Sequence, residues 1–521
     1  MSAQLSRWEV CIGLEIHAQI QSVSKLFSGS SAASKGSLVP NTRVSFFDAA
    51  LPGTLPTVNE ACVQQAIRTA GALQSTIQKH SVFERKHYFY CDLPLGYQIT
   101  QQRAPIATNG VLNFQVQETQ QRVSTNFTSR KEKNAASKVK KNQQIDEWVE
   151  KQVRINRIQI EQDSGKSVHT LDATHVDLNR AGTGLMEIVF EPDLRSAAEA
   201  GQVLREVQHL LRHIGTCDGN MEDGSMRCDL NVSVRTKPTS ENEQIPFGER
   251  VEVKNMNSIK NLMRAVEYEM QRQIDVIETT GNRIEKETRT FDAATGMTKR
   301  MRTKEGAKDY RFFPEPDLPP LVISSEFVDS ALATLPELPE KMKARLSATY
   351  GLSAYEASVL VLTPSAVDYF ESVCTDASRP HKLVANWVLN DLFSLLKATN
   401  TPIDESPVSP ARLGELLNLI VSEIISGKIA KELIELMYYE DSRSPLMIVQ
   451  EKGWMQITDP AELSKICQSV LDDPKNQKNI AAYRGGKAQL FGFFIGHVMK
   501  ASNGLVHPEK VNGIMKDLLD A

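Results

Sequence analysis

Trp8-Glu-Val-Cys-Ile-Gly-Leu-Glu-Ile-His-Ala-Gln-Ile20 is the stretch whose pattern decides how the first part of the chain folds. Val10, Ile12, Leu14, Ile16, Ala18 and Ile20 alternate with Cys11, Gly13, Glu15, His17 and Gln19, and a period of two marks a half-buried strand. Side chains at i and i+2 share a strand face, so Glu15 and His17 point together away from the apolar side. A second alternation, Arg227 to Arg235, sets Arg227, Asp229, Asn231, Ser233 and Arg235 against Cys228, Leu230, Val232 and Val234. Shorter strands fit Leu185–Glu191 and Arg250–Lys254, and a helix fits about Ala197 to Ile214. After Lys254, the segment Asn255-Met-Asn-Ser258 supplies capping residues. Ile259, Leu262, Met263, Val266, Met270, Ile274 and Ile277 then recur at helical spacing. The region to about residue 315 therefore reads as α+β.

Working outward, the chain of 521 residues exceeds one ordinary core, and a prior of about 150 residues per domain predicts three or four domains. The proline-dense Phe313-Pro-Glu-Pro-Asp-Leu-Pro-Pro-Leu321 cannot continue a helix or a central strand and predicts a boundary. Beyond it the pattern is helical, as in Leu413, Leu416, Leu417, Ile420 and Ile424, with a break near Glu451-Lys-Gly-Trp454. The expected domains are residues 1–317, 318–452 and 453–521. Residues 115–152, rich in Gln, Lys and Ser, predict a mobile insertion. No run reaches the ~18 apolar residues of a membrane helix, so a soluble protein with no membrane insertion is expected. Sixty basic against sixty-four acidic residues leave a formal charge of −4, which excludes a whole-molecule basic field for nucleic acid but not local patches. Seven cysteines without any CxxC spacing argue against disulfides and cysteine zinc sites and for a reducing compartment.

Familiar catalytic motifs are missing: there is no GxxxxGK[ST], HExxH or GxSxG. Carboxylates are the alternative. Glu15 with His17 offers a hard oxygen and an imidazole on one face, and Glu161, Glu187 and Glu252 lie on other predicted strands or strand ends. Converging, they would form a divalent-cation site, with Lys254 and Arg227 nearby suiting phosphoryl transfer; otherwise they form a solvated, self-paired sheet face. Glu187 and Glu191 share a face, but i to i+4 in a strand spans about 13 Å, so at most one binds a given ion. Asn179-Arg-Ala-Gly-Thr-Gly-Leu185 fits either an anion-binding loop or an ordinary turn. Met221-Glu-Asp-Gly-Ser-Met226 fits an acidic turn. Tyr88-Phe-Tyr90, beside Arg85, Lys86 and His87, fits either core packing or a stacking surface.

In order along the chain run Ile12-Gly-Leu-Glu-Ile-His17, Leu51-Pro-Gly-Thr-Leu-Pro56, Arg85-Lys-His-Tyr-Phe-Tyr90, Gly96-Tyr-Gln-Ile-Thr-Gln101, Leu178-Asn-Arg-Ala-Gly182, Glu187-Ile-Val-Phe-Glu-Pro-Asp193, Gly219 to Asp229, Val253-Lys-Asn-Met-Asn-Ser258 and Asp309-Tyr-Arg-Phe-Phe-Pro-Glu-Pro-Asp317. Together they resemble the B-subunit family of aspartyl/glutamyl-tRNA(Asn/Gln) amidotransferases, the GatB/GatE family. The likeness covers nearly the whole chain, including Tyr483-Arg-Gly-Gly-Lys487, and leaves out the 115–152 insertion.

That resemblance implies an antiparallel-sheet cradle, then an all-α helical domain and a small helical tail that contacts tRNA. It implies use of ATP and Mg²⁺ to phosphorylate the side-chain carboxylate of glutamate or aspartate mischarged on tRNA(Gln) or tRNA(Asn). Ammonia arrives from a separate A-type amidase subunit, and a small third subunit, C-type or fungal F-type, clamps the pair. Carried over residue by residue, Glu15, His17, Glu161, Glu187 and Glu252 are the expected metal ligands or their close supports. Arg227, Asp229, Lys254 and Asn255 are expected to position ATP or the aminoacyl end. Two departures stand out. Glu161-Gln162 replaces a pair of glutamates found in many relatives, and Ser28-Gly-Ser30 and Ser45-Phe-Phe-Asp48 lack the paired cysteines of some bacterial members, so no zinc is expected. The Ser45-to-Gly53 wording and the basic insertion resemble the mitochondrial branch, although a first strand near residue 8 leaves no room for a presequence. The competing readings are a catalytically silent tRNA-docking scaffold and a stand-alone amide ligase using free ammonia.

Overall fold

A computed structural model of the chain describes residues 7–32, 39–120, 145–238, 245–303, 311–457, 459–485, 487–502 and 505–520. Two compact units divide at Leu338/Pro339. The boundary expected at 317/318 falls later because Leu318, Ile323 and Ala331 are buried in the first core, with Leu332, Leu335 and Leu338 packed against it.

The strands of the first unit are β1 (Trp8–Gln19), β2 (Thr76–Ile77), β3 (His80–Ser81), β4 (Glu84–His87), β5 (Tyr97–Thr100), β6 (Ala107–Gln120), β7 (Ile145–Gln162) and β8 (Lys166–His169). They continue with β9 (Thr174–Asp177), β10 (Gly184–Phe190), β11 (Met226–Thr236), β12 (Val251–Met256), β13 (Glu287–Asp292), β14 (Met297–Thr303), β15 (Phe313–Pro314) and β16 (Leu321–Val322). Nine form one sheet in the order β14-β13-β12-β11-β1-β10-β7-β6-β2. Its pairs are antiparallel except β12 with β13. The β1 stretch thus sits at the centre of the sheet, and a smaller sheet, β15-β4-β5, belongs to the same unit.

Alternation gives the large sheet two unlike faces. Ile12, Leu14, Ile16, Ile160, Met186, Ile188, Cys228, Leu230, Val232 and Val253 are all fully buried on one of them, each large side chain contributing about 1.5–3 kcal/mol. The helices α1 (Glu60–Ala72), α2 (Ala197–His213), α3 (Ile259–Thr280) and α4 (Ser325–Ala333) add their apolar stripes to this core. Ser196 and Ser258 cap α2 and α3 by accepting from the backbone N–H groups of Glu199 and Asn261, and Gly281 closes α3 in the left-handed region at φ 66°.

The expected insertion needs correction at both ends. Residues 115–120 pair with 145–150, from Gln115↔Glu150 to Gln120↔Ile145, so β6 and β7 extend as a long hairpin. Polar composition hid them because an arm of two strands needs little apolar alternation once its backbone groups pair with each other. Residues 121–144 lie outside the described residues.

The second unit, Pro339–Ala521, is helical. One apolar core gathers residues between Leu346 and Val449, and a smaller one gathers Leu463, Cys467, Phe494, Val498, Val511, Met515 and Leu519. A π-helical turn, Trp387–Leu392, joins two α-helical segments within the larger core.

A candidate metal and catalytic centre

Register decides which polar side chains meet. His17 is paired with Glu187 of β10 on one side and Arg227 of β11 on the other. Glu15 is paired with Asp229, Glu187 with Gln159, and Asn231 with Glu252. Cross-strand partners share a face, so five adjacent strands bring the predicted residues to one polar surface at the middle of the sheet.

Three of them converge. His17, Glu161 and Glu187 each offer a ligand atom, all within 4.8 Å of one another. The Nδ1 of His17 lies 3.4 Å from Glu161 Oε1 and its Nε2 lies 4.0 Å from Asp229 Oδ2. Glu161 Oε2 accepts from the Thr100 hydroxyl at 3.0 Å, and Glu187 Oε2 accepts from the Gln159 amide at 2.6 Å. That amide also donates to Thr100 Oγ1 at 3.1 Å. Each carboxylate therefore has one oxygen fixed by a neutral donor.

Electrostatics follow from crowding two carboxylates in a buried place. For His17, burial opposes the charged ring, but the Glu161 hydrogen bond and the charges of Glu187, Glu161 and Asp229 outweigh it and raise the pKa to about 9. Glu187 is pushed up to about 7 by burial and by the neighbouring Glu161 charge. Glu161 is driven well below the usual carboxylate range: its burial is outweighed by the His17 hydrogen bond, the Lys86 and His17 charges and the Thr100 hydroxyl. Imidazole plus two carboxylates is a donor set for a hard or borderline divalent cation, and a 2+ charge would relieve the repulsion that keeps a proton on Glu187. The residues fit the ion.

The other predicted residues flank this trio. Glu15 accepts from Asn231 Nδ2 at 2.9 Å. Glu252 accepts from Thr288 Oγ1 at 3.1 Å and pairs with Lys254 Nζ at 3.1 Å. Neither belongs to the trio within 4.8 Å. Lys254 also lies 3.5 Å from Asp229 Oδ2, and Asp229 Oδ1 accepts the backbone N–H of Asn255 at 2.8 Å. Asn255 itself is exposed and sits at φ 62°, in the left-handed region, a conformation Asn adopts more readily than most residues. Arg227 donates to Asp163 Oδ1 at 3.0 Å, and Arg180 lies 3.3 Å from the other oxygen.

Gln162 departs from the expected ligand row without disturbing it. Neighbours on a strand face opposite ways, and its amide donates to Tyr97 O at 3.4 Å while Glu161 faces the trio. The Asn179–Leu185 loop is an ordinary turn: the N–H groups of Ala181, Gly182 and Thr183 donate to Leu178, Asp163 and Arg180 carbonyls. At Met221–Met226, Ser225 and Met226 donate to Asn220 O, and Glu222 and Asp223 are exposed. Phe89 is 85% exposed, so that aromatic run is surface and not core. In the early loop, Asp48 accepts from Lys25 Nζ at 3.0 Å and from Ser28 Oγ at 3.1 Å.

Sequence reasoning missed Thr100, Gln159 and Asp163. Gln159 stands two residues before Glu161 on the same strand face, a signal that was available. Thr100 reaches Glu161 from the smaller sheet, which no local pattern announces.

A sequence model of the GatB/GatE catalytic domain matches residues 10–329, more than half of the chain. The chain belongs to the GatB/GatE family. A second GatB domain model matches residues 368–519. This GatB-family chain is 58% identical to the B subunit of the mitochondrial glutamyl-tRNA(Gln) amidotransferase of Phytophthora infestans, over 98% of the chain and 95% of the relative. It is 46% identical to the B subunit of the aspartyl/glutamyl-tRNA(Asn/Gln) amidotransferase of Acidiphilium cryptum, over 98% and 96%, and 44% identical to that of Rickettsia felis, over 99% and 98%. The trio and the residues that flank it lie inside the catalytic-domain match of this GatB-family chain.

Proposed function

We propose that this chain is the carboxylate-activating component of a tRNA-dependent amidotransferase. It uses ATP to phosphorylate the side-chain carboxylate of glutamate or aspartate mischarged on tRNA(Gln) or tRNA(Asn). Ammonia from a partner A-type amidase subunit, in a complex completed by a small third subunit, then gives the amide. The names of the relatives supply the substrate class, and the mitochondrial relative supplies the location, the mitochondrion. The observation that carries the reading is the convergence of His17, Glu161 and Glu187 from three strands on one buried polar face.

The chemistry explains why such a face is needed. A carboxylate is a poor acyl donor because its leaving group would be oxide. One of its oxygens therefore attacks the γ-phosphorus of ATP, the bond to the bridging oxygen breaks and ADP leaves. Ammonia next adds at the acyl carbon, phosphate departs, and the surplus proton passes to solvent. His17, Glu161 and Glu187 would hold Mg²⁺, which when bound supplies positive charge against the phosphates. Arg227 and Lys254 add fixed cationic charge at its edge, and Asp229 orients Lys254 and the Asn255 backbone.

The test is to purify the native complex and supply ATP and glutamine with Glu-tRNA(Gln) or Asp-tRNA(Asn). The expected result is amide formed only with ATP and a mischarged tRNA, and lost in Glu187→Gln. Full amidation by that variant would leave a docking scaffold. Amidation of a free acid with the amidase partner left out would make the chain a stand-alone ligase.

A further inference from the structure

Among the described residues, one buried acceptor on the polar face has no hydrogen-bond partner. Asn231 of β11 is 8% exposed. Its Nδ2 donates to Glu15 Oε1 at 2.9 Å, while its Oδ1, screened from solvent, accepts no hydrogen bond among the described residues. The Glu15 carboxylate fixes the amide's orientation, since only the NH₂ end can serve a carboxylate oxygen. Leaving a buried carbonyl oxygen unpaired is costly, and native proteins keep few such atoms without a ligand, ion or water to satisfy them.

Its neighbours narrow the class of ligand. On β1 the residue paired with Asn231 is Gly13, which places no side chain against it, and on β12 the paired residue is Glu252. Glu15 and Asp229 stand two residues along on the same face. Positive charge reaches these carboxylates from Lys254, 3.1 Å from Glu252 Oε1 and 3.5 Å from Asp229 Oδ2, and from His17, whose Nε2 lies 4.0 Å from Asp229 Oδ2. By register, three carboxylates, Glu15, Asp229 and Glu252, share the face with this neutral amide oxygen, and hard divalent cations combine carboxylates with amide carbonyls in this way.

We propose that Asn231 is a cation-positioning residue. Its Nδ2 fixes Glu15, and its Oδ1 supplies a neutral oxygen ligand to a divalent cation on the Glu15–Glu252 side of the polar face. The inference rests on reading that face as a cation site.

The test titrates the full-length chain with Mn²⁺ alone, following free Mn²⁺ by electron paramagnetic resonance. Asn231→Leu keeps the volume but removes both polar groups, and a drop of about tenfold to a hundredfold in Mn²⁺ affinity is expected, reproduced by Glu15→Gln. Asn231→Asp keeps an oxygen and should bind Mn²⁺ at least as tightly as the parent. Wild-type affinity and stoichiometry in Asn231→Leu overturn the proposal. Lost amidation with unchanged Mn²⁺ binding also overturns it, making Oδ1 an acceptor for a substrate N–H. Should Asn231→Leu fail to melt cooperatively, Asn231→Asp decides, and loss of Mn²⁺ there overturns the assignment. Asn231-dependent Mn²⁺ binding in a chain whose native complex amidates no tRNA would sink the proposed function and leave this inference standing.

Discussion

The sheet unit and the helical unit bury different things. Within residues 7–338 a set of acids is buried beside the apolar core, among them Glu84, Glu161, Asp163, Glu187, Asp229, Glu269 and Glu315. Among the described residues of 339–520 no carboxylate is buried, and the buried polar side chains are those of Asn476 and Ser502. Burying a charge costs several kcal/mol unless it is paired and hydrogen-bonded. The sheet unit bears that cost repeatedly at the centre of its polar face. The helical unit follows the cheaper rule of apolar packing, so its sequence is free to serve shape and surface. Some of the buried acids are structural: Glu269 is held by Arg272, Gln273 and Thr298. The trio around His17 differs in lacking enough positive charge of its own to keep both glutamates ionised.

The strongest way to break the comparison is in the helical unit. Phe370 is fully buried and meets Tyr350 edge-on at 5.2 Å. Phe370→Ala should destabilise that unit by about 3–5 kcal/mol while leaving Mn²⁺ binding by the sheet unit unchanged. Thermal unfolding and Mn²⁺ titration of the same sample check both halves, and a joint loss would show that the two units do not behave independently.

In the sheet unit, Glu161→Gln keeps the shape and removes the charge that His17 leans on. A fall of about a hundredfold in ATP-dependent amidation is expected, equivalent to about 2.7 kcal/mol, with a melting temperature close to the parent's in metal-free buffer. Retention of full activity would return the trio to the class of structural pairs represented by Glu269.

The pH response sharpens the same contrast. Both raised groups hold a proton in the metal-free site, Glu187 up to about 7 and His17 up to about 9, and a cation must displace both. Affinity for Mn²⁺ should therefore rise with pH, by about tenfold per unit between 7 and 9, where only the His17 proton is displaced. It should rise more steeply below 7 and flatten above 9. Dissociation constants measured across pH 6 to 9.5 test the sign, and a flat profile would remove His17 from the ligand set.

The smallest effect is expected at Thr100. Thr100→Val removes the hydroxyl that serves both Glu161 and Gln159 at nearly constant volume, costing about 1 kcal/mol of stability. Chemical denaturation measures it, and a neutral result would mean that His17 holds Glu161 and Gln159 holds Glu187 without help from the hydroxyl.

Much of this was legible beforehand because a strand's period of two is local. Alternation from Trp8 to Ile20 and from Arg227 to Arg235 was enough to put Glu15 with His17, and Asp229 with Asn231, on the polar faces of their strands. The Ser258 cap and the apolar recurrence after it were likewise enough for α3. Alternation cannot say which strand lies beside which, because register and order depend on pairings between residues as far apart as His17 and Arg227. Only the tertiary structure decided that Glu161 and Glu187 join His17 while Glu15 and Glu252 flank it, that Thr100 arrives from another sheet, and that the Asn231 oxygen accepts no hydrogen bond among the described residues. Those facts are contacts across hundreds of residues, set by burial of the opposite apolar face, and no short stretch of sequence carries them.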